Sequence, residues 1–167
     1  MIVKEYDRRA ALRYAARWAR MRNPEYYDYT GIGGDCTNFV SQCVYAGSGV
    51  MNYTDTFGWY YINANDKSPS WTGVEYFYDF MTSNEGAGPF GEEQSLELLV
   101  PGDIIQLADS SGRFYHSLIL TGIFRFGRRI YYVSSHSNDA YMRNLDTYTY
   151  SGIRGIHIQG VRMDEIV

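Results

Sequence analysis

Residues 31–47 read GIGGDCTNFVSQCVYAG, a glycine-rich approach running directly into an apolar helical repeat. Glycines at 31, 33 and 34 permit backbone angles and close approaches that side chains forbid. Phe39, Val40, Cys43, Val44 and Gly47 then recur at helical spacing. A helix over about residues 36–46 is expected, ended by Gly47 and Gly49. Cys36 therefore stands at the helix tip, and Cys43 lies two turns deeper on the apolar stripe. Two turns are about 10 Å along the axis, too far for a disulfide, so both should be free thiols. A cysteine nucleophile needs access, a stabilised thiolate and a base within hydrogen-bond reach. The glycines leave room for a substrate backbone, and the unpaired N–H groups and dipole of a helix N-terminus favour the thiolate. The same N–H groups can hold the oxyanion of a tetrahedral intermediate. Cys36 is the expected nucleophile, with Gly34 and Asp35 on the oxyanion and substrate side. Cys43 reads as core.

Working outward, residues 4–22 carry Tyr6, Ala10, Tyr14, Trp18 and Met21 at helical spacing, with arginines on the other side. Asn23-Pro24 ends that helix. Residues 48–70 are turn-rich and read as irregular. Ser70 is a candidate N-cap for a helix over 71–81, with Trp71, Val74, Phe77, Tyr78 and Met81 inward. Residues 83–94 read as a glycine-rich loop. From residue 98 the period becomes strand-like. Pro101-Gly102-Asp103 is a turn, Ile104–Leu107 a strand and Asp109–Gly112 a hairpin signal. His116–Gly122 and Ile130–Val133 are strands joined by a turn at Arg125–Arg129. Tyr148–Tyr150 and Gly155–Arg162 are further strand candidates. Helices first and strands after predict one α+β domain over 1–167, its N-terminal helices packed on an antiparallel sheet.

The base must come from elsewhere in the fold. Of the three histidines, His116 stands where the polar segment Ser110–Tyr115 meets an apolar strand, at the rim of the sheet. It is the expected general base. His157 alternates within Gly155–Gln159 and reads as structural. A hairpin turning near residue 126 would set His136 opposite His116, where it could orient the imidazole. A register shift of two would bring Ser134 or Asn138 there instead. His136 is the first choice for the third member and Asn138 the alternative.

The rest of the composition mainly excludes. A net charge of −4 and a pI near 5.3 give no electrostatic footprint for nucleic acid. Arg8, Arg9, Arg13, Arg17, Arg20 and Arg22 crowd one segment, the pattern of a solvated helix face. No CxxC and no histidine pair at i,i+4 occurs, so neither a metal nor another cofactor is expected. No stretch of about 18 apolar residues is present to span a membrane. The first 21 residues lack the apolar core of a signal peptide. The chain is expected to be cytoplasmic, or extracellular and wall-associated if an export signal lies outside it, and to act as a monomer. Aromatic residues reach 17%, suited to a wet groove holding peptides or sugars and equally to half-buried strands.

Four motifs occur in order: residues 33–47, Pro101–Gln106, His116-Ser117, and Tyr132–Asp139. Together with Trp71 opening an aromatic helix, they resemble the signature of the "putative amidase domain" family from about Tyr6 to Arg162. That family is grouped with the CHAP and NlpC/P60 cell-wall hydrolases in the papain-like superfamily. The resemblance implies a helix-borne Cys36, a strand-borne His116 and a third polar residue that varies among relatives. Tyr27 or Tyr29 would assist the oxyanion, and peptide or amide bonds of bacterial peptidoglycan would be the substrate. Asp-Cys-Thr-Asn departs from the Asp-Cys-Ser-Gly of the NlpC/P60 subgroup. The expected activity is an amidase or endopeptidase working through an acyl-enzyme. The rival readings are a silent module binding cell-wall glycopeptide and an acyl transferase using the same Cys-His pair.

Overall fold

The computed structural model describes residues 1–165; Ile166 and Val167, at the end of the expected domain, lie outside the described residues. Residues Ile2–Lys4 form a short strand, β1, where the helical pattern was expected to begin. Helix α1 spans Arg8–Trp18, and the Asp7 carboxylate caps it by accepting the Ala10 N–H at 2.9 Å. Its buried stripe is Ala11, Ala15 and, just past the end, Ala19. The expected stripe is thus rotated by one position: Tyr14 and Trp18 flank the contact half-buried, and Met21 is exposed. Small side chains win the central line because they let α1 lie close against helix α2, Cys36–Ser48.

Helix α2 is buried almost throughout; it runs on through Gly47, which was expected to help end it, and stops at Gly49 in the left-handed region, φ 63°. The helix expected over 71–81 is two pieces, α3 (Pro69–Thr72) and α4 (Val74–Ser83). Gly73 separates them with an extended backbone, φ −101° and ψ 128°, and Ser68 rather than Ser70 holds the N-cap position of the first. Trp71, Phe77, Phe80 and Met81 are buried, while Val74 and Tyr78 are only partly so.

The remaining strands are β2 (Tyr61–Asn63), β3 (Asp66–Lys67), β4 (Gly88–Gln94), β5 (Ile104–Ala108), β6 (Phe114–Phe126), β7 (Arg128–Ser135), β8 (Ala140–Asn144) and β9 (Gly152–Met163). Strands β2 and β3 pair within the segment expected to be irregular. The main sheet runs β1-β9-β5-β6-β7-β8, with β4 also on β9, and its pairings are antiparallel. The chain is α+β, helices against a mainly antiparallel sheet.

Two expectations fail here. The supposed loop 83–94 contains β4, disguised because Gly91 sits at a register shift in the ladder. A Cβ at Gly91 would come 2.2 Å from the His157 carbonyl oxygen, so the close strand approach requires glycine there. Residues 148–150 are not a strand; the strand that follows β7 and pairs with its outer edge is β8, at 140–144.

Alternation along the strands sorts the two faces. Ile104, Ile119, Ile156 and Ile158 pack beneath the helices with Phe39, Val40 and Trp71. Ile105, Leu107, Leu118, Leu120 and Val133 point the other way, onto Leu99 and Leu145. Asp103 ties helix to sheet: its buried carboxylate meets Arg8 at 2.7 Å and His157 Nδ1 at 2.8 Å. It also accepts the N–H groups of Val100 and Ile158. His157 is structural through that contact.

Candidate active site

Two polar networks hold the tip of α2. Asp35 occupies the N-cap position but does not cap with its side chain. Its carboxylate accepts the Tyr29 N–H and the Asn38 amide, each at 2.8 Å, and meets His136 Nδ1 at 2.5 Å. Asn38 also donates to the Tyr27 carbonyl and accepts from the Trp71 indole, both at 2.9 Å. These bonds lock the loop before the helix and helix α3 onto the tip. On the sheet side the Thr37 hydroxyl meets Ser117 Oγ at 2.9 Å, and Gln106 Nε2 donates to the same oxygen at 3.1 Å. Arg154 on β9 donates to Gln106 Oε1 at 2.8 Å. Apart from Tyr27, each of these residues is buried or half-buried, so leaving one unpaired would be costly.

Cys36, 7% exposed, is thereby set over the start of β6. Its sulfur lies 3.8 Å from Thr37 Oγ1 and 4.0 Å from the Tyr115 carbonyl oxygen. A cleft of about 420 Å³ opens there, lined by Gly33, Gly34, Cys36, His116, Asn138, Arg143 and Tyr148 among others. The ladder between β5 and β6 shifts register at Tyr115, immediately before His116. Such bulges re-aim side chains near active sites. No hydrogen bond joins Cys36 to His116 among the described residues; the two share the cleft. Cys43 is fully buried in the helical core.

The electrostatics differ from the expected thiolate. Burial pushes the Cys36 thiol up, against the opposing pull of the Ser117 N–H and the Thr37 hydroxyl and N–H. Burial, reinforced by the positive charge of Arg143, pushes His116 down to about 4. Both shifts favour a neutral thiol beside a neutral imidazole. Desolvation outweighs the helix tip because Cys36 is largely, though not wholly, buried.

His136 does not reach His116. The β6/β7 turn centres on Gly127 and the ladder shifts between Leu120 and Gly122, leaving Ile119 opposite Ser134. Extending that register puts His116 across from Ser137, one residue away from the expected pairing. One residue reverses the face a side chain points to. The His136 ring instead stacks on Phe39 at 4.1 Å, with Nδ1 on Asp35 and Nε2 at 2.8 Å from the Trp18 carbonyl oxygen. Both ring nitrogens are taken. Asn138 lines the cleft in a left-handed conformation, φ 68°.

The other expected site residues divide. Gly34 lines the cleft, with φ 103°. Asp35 is buried at 1% exposure and spends its carboxylate on the network above, so its side chain does not face a substrate. Tyr29 donates its hydroxyl to the Ala64 carbonyl at 3.2 Å, and Tyr27 packs edge-on against it. Neither tyrosine is among the residues lining the cleft. Sequence reasoning missed Arg143 and Tyr148, which carry no local signal. Gln106 and Ser117 lay within quoted motifs without an assigned role. Among the described residues no group of three or more His, Cys, Asp or Glu is placed to hold a metal ion, and no helix is long and apolar enough to cross a membrane.

A family model described as "Putative amidase domain" matches residues 5–159. The chain is 30% identical over 118 residues to "Uncharacterized protein YhbB" of Bacillus subtilis (strain 168). That match covers 70% of this chain and 37% of the relative, so the chain spans little more than a third of that protein's length. No solved structure matches the chain significantly.

Proposed function

Because this chain belongs to the "putative amidase domain" family, whose description points to amide hydrolysis, we propose that it is a cysteine-dependent amidase or endopeptidase of papain-like fold. Cys36 is the nucleophile and His116 the base. The observation that carries this is the shared cleft: of the two thiols, the one at a helix tip faces the same cavity as His116, and the other is sealed in the core.

The neutral resting pair dictates the order of proton movement. As the Cys36 sulfur attacks the amide carbonyl carbon, its proton passes to His116, and the carbonyl electrons move onto oxygen at the helix tip. The imidazolium then gives that proton to the leaving nitrogen, the C–N bond breaks, and an acyl-enzyme remains. His116 next takes a proton from water as it attacks the thioester, and returns it to sulfur as the acid product leaves. The ion pair forms during attack rather than being stored. We assign the orienting role to Asn138, since the His136 ring is occupied elsewhere. Bacterial cell-wall peptides are the substrate class to which the family resemblance points.

The test is Cys36→Ala. Hydrolysis of a peptidoglycan-derived peptide should vanish while the melting temperature stays within a few degrees of the parent protein. Undiminished turnover by that variant would remove the mechanism.

A further inference from the structure

We infer that Arg143 anchors a carboxylate on the substrate, so that the amides taken by this site carry a free carboxylate close to the scissile bond. This rests on the amidase reading above and deepens it.

Arg143 is the only charged side chain among the residues lining the cleft that holds Cys36 and His116. It belongs to β8 and is half-buried. Arg8, Arg22, Arg128 and Arg154 each meet a carboxylate within 3.1 Å, whereas Arg143 forms no ion pair among the described residues. Two of its nitrogens are nevertheless fixed: Nε donates to Thr147 Oγ1 at 2.8 Å and Nη2 to the Thr147 carbonyl at 2.9 Å. Its guanidinium carbon lies 3.9 Å from the centre of the Tyr148 ring, and that ring is 6.0 Å from the ring of His116. Nη1 has no hydrogen-bond partner among the described residues.

A guanidinium held from one side by a carbonyl, a hydroxyl and an aromatic face has already lost most of its rotamer freedom. It offers a cation and a free donor to the cleft, where partial desolvation strengthens charge-assisted hydrogen bonds. Such a group selects an oxyanion, and a peptide amide supplies one most simply as a neighbouring carboxylate. A basic substrate would meet like charge there and be disfavoured.

The test needs no knowledge of the natural substrate. Alkylation of Cys36 by iodoacetate and by iodoacetamide is followed by mass spectrometry, with N-acetylcysteine as the reference thiol at the same pH. The iodoacetate-to-iodoacetamide rate ratio should exceed that of N-acetylcysteine by tenfold or more. It should fall to the reference value in Arg143→Gln and survive in part in Arg143→Lys. A parent ratio equal to the reference, or one unchanged in Arg143→Gln, overturns the anchor. The absolute iodoacetamide rate reports separately on the nucleophile: a fast but unselective thiol removes the anchor and leaves the amidase reading intact. A slow but anion-selective thiol supports the anchor, and the amidase reading is then decided by the Cys36→Ala hydrolysis assay alone. Should burial suppress both reactions, amide-resolved NMR titration with N-acetylglycine and N-acetylglycinamide decides. Shifts near Arg143 with the acid alone, lost in Arg143→Gln, support the anchor; equal responses to both ligands overturn it.

Discussion

His136 Nδ1 lies 2.5 Å from Asp35 Oδ2, and the two residues are 101 positions apart in the chain. The contact joins the segment just after β7 to the residue just before the proposed nucleophile. His136 Nε2 faces the Trp18 carbonyl oxygen on the other side. Both ring nitrogens thus have partners, and neither is free to turn toward His116. The ring is a bolt running from α1 through the sheet end to the tip of α2. It positions Cys36 through structure, without touching the reacting atoms.

Removing half of that bolt should cost stability first. Asp35→Ala strands the His136 ring, the Tyr29 N–H and the Asn38 amide in a buried setting. Breaking one side of a buried pair typically costs about 3–5 kcal/mol, measurable by urea unfolding. His136→Gln should also lower the melting temperature. It should leave the acid limb of the kcat/KM profile where it was, and a displaced limb would instead make His136 a partner of His116.

Activity should persist into acid. His116 is the proposed base and loses its function when protonated, which burial and Arg143 delay until the pH nears 4 rather than 6.5. The acid limb of kcat/KM should therefore fall near pH 4. Arg143→Gln should move it upward, because the nearby positive charge that disfavours the imidazolium is gone. A limb at 6.5 in the parent protein would contradict this.

The same shift makes stability depend on pH. In the unfolded chain His116 titrates near its ordinary 6.5, and in the folded protein near 4. Between those values the unfolded state binds more protons, so stability is complete above about 6.5 and declines as the pH falls through the window. The loss attributable to this residue is up to ~3 kcal/mol. Urea unfolding of the parent and of His116→Gln at pH 7.5 and pH 4.5 should show the variant losing less.

Gly47 offers a prediction in which two effects oppose. Glycine inside a helix is ordinarily about 1 kcal/mol worse than alanine, so propensity alone says Gly47→Ala stabilises. A Cβ there would come 2.4 Å from the Tyr6 ring and 2.7 Å from the Asp7 carbonyl oxygen. Overpacking of this kind costs roughly 1–3 kcal/mol, and the Asp7 backbone cannot swing aside as a side-chain end could. The variant should be less stable; a raised melting temperature would show that α1 slides freely on α2.

Much of the fold was legible along the chain. The α2 stripe and the strands β5, β6, β7 and β9 follow from the hydrophobic period, and of the two glycines expected to end α2 only Gly49 does so. The failures share a cause. The α1 stripe rotated because close packing selects Ala11, Ala15 and Ala19 over larger neighbours. Strand β4 was hidden because Gly91 answers to the His157 carbonyl, a residue far away in sequence. The helix over 71–81 split because Gly73 takes an extended conformation.

The sequence by itself determined the α+β class, the cysteine at a helix tip and the histidine at a strand entrance, since periodicity and glycine placement act over a few residues. Only the tertiary structure decided that His136 belongs to Asp35, that burial pushes the Cys36 thiol up rather than down, and that Arg143 lines the cleft. Each depends on which distant groups exclude water or share a proton. A one-residue shift in the ladder of β6 and β7 was enough to move His136 away from His116.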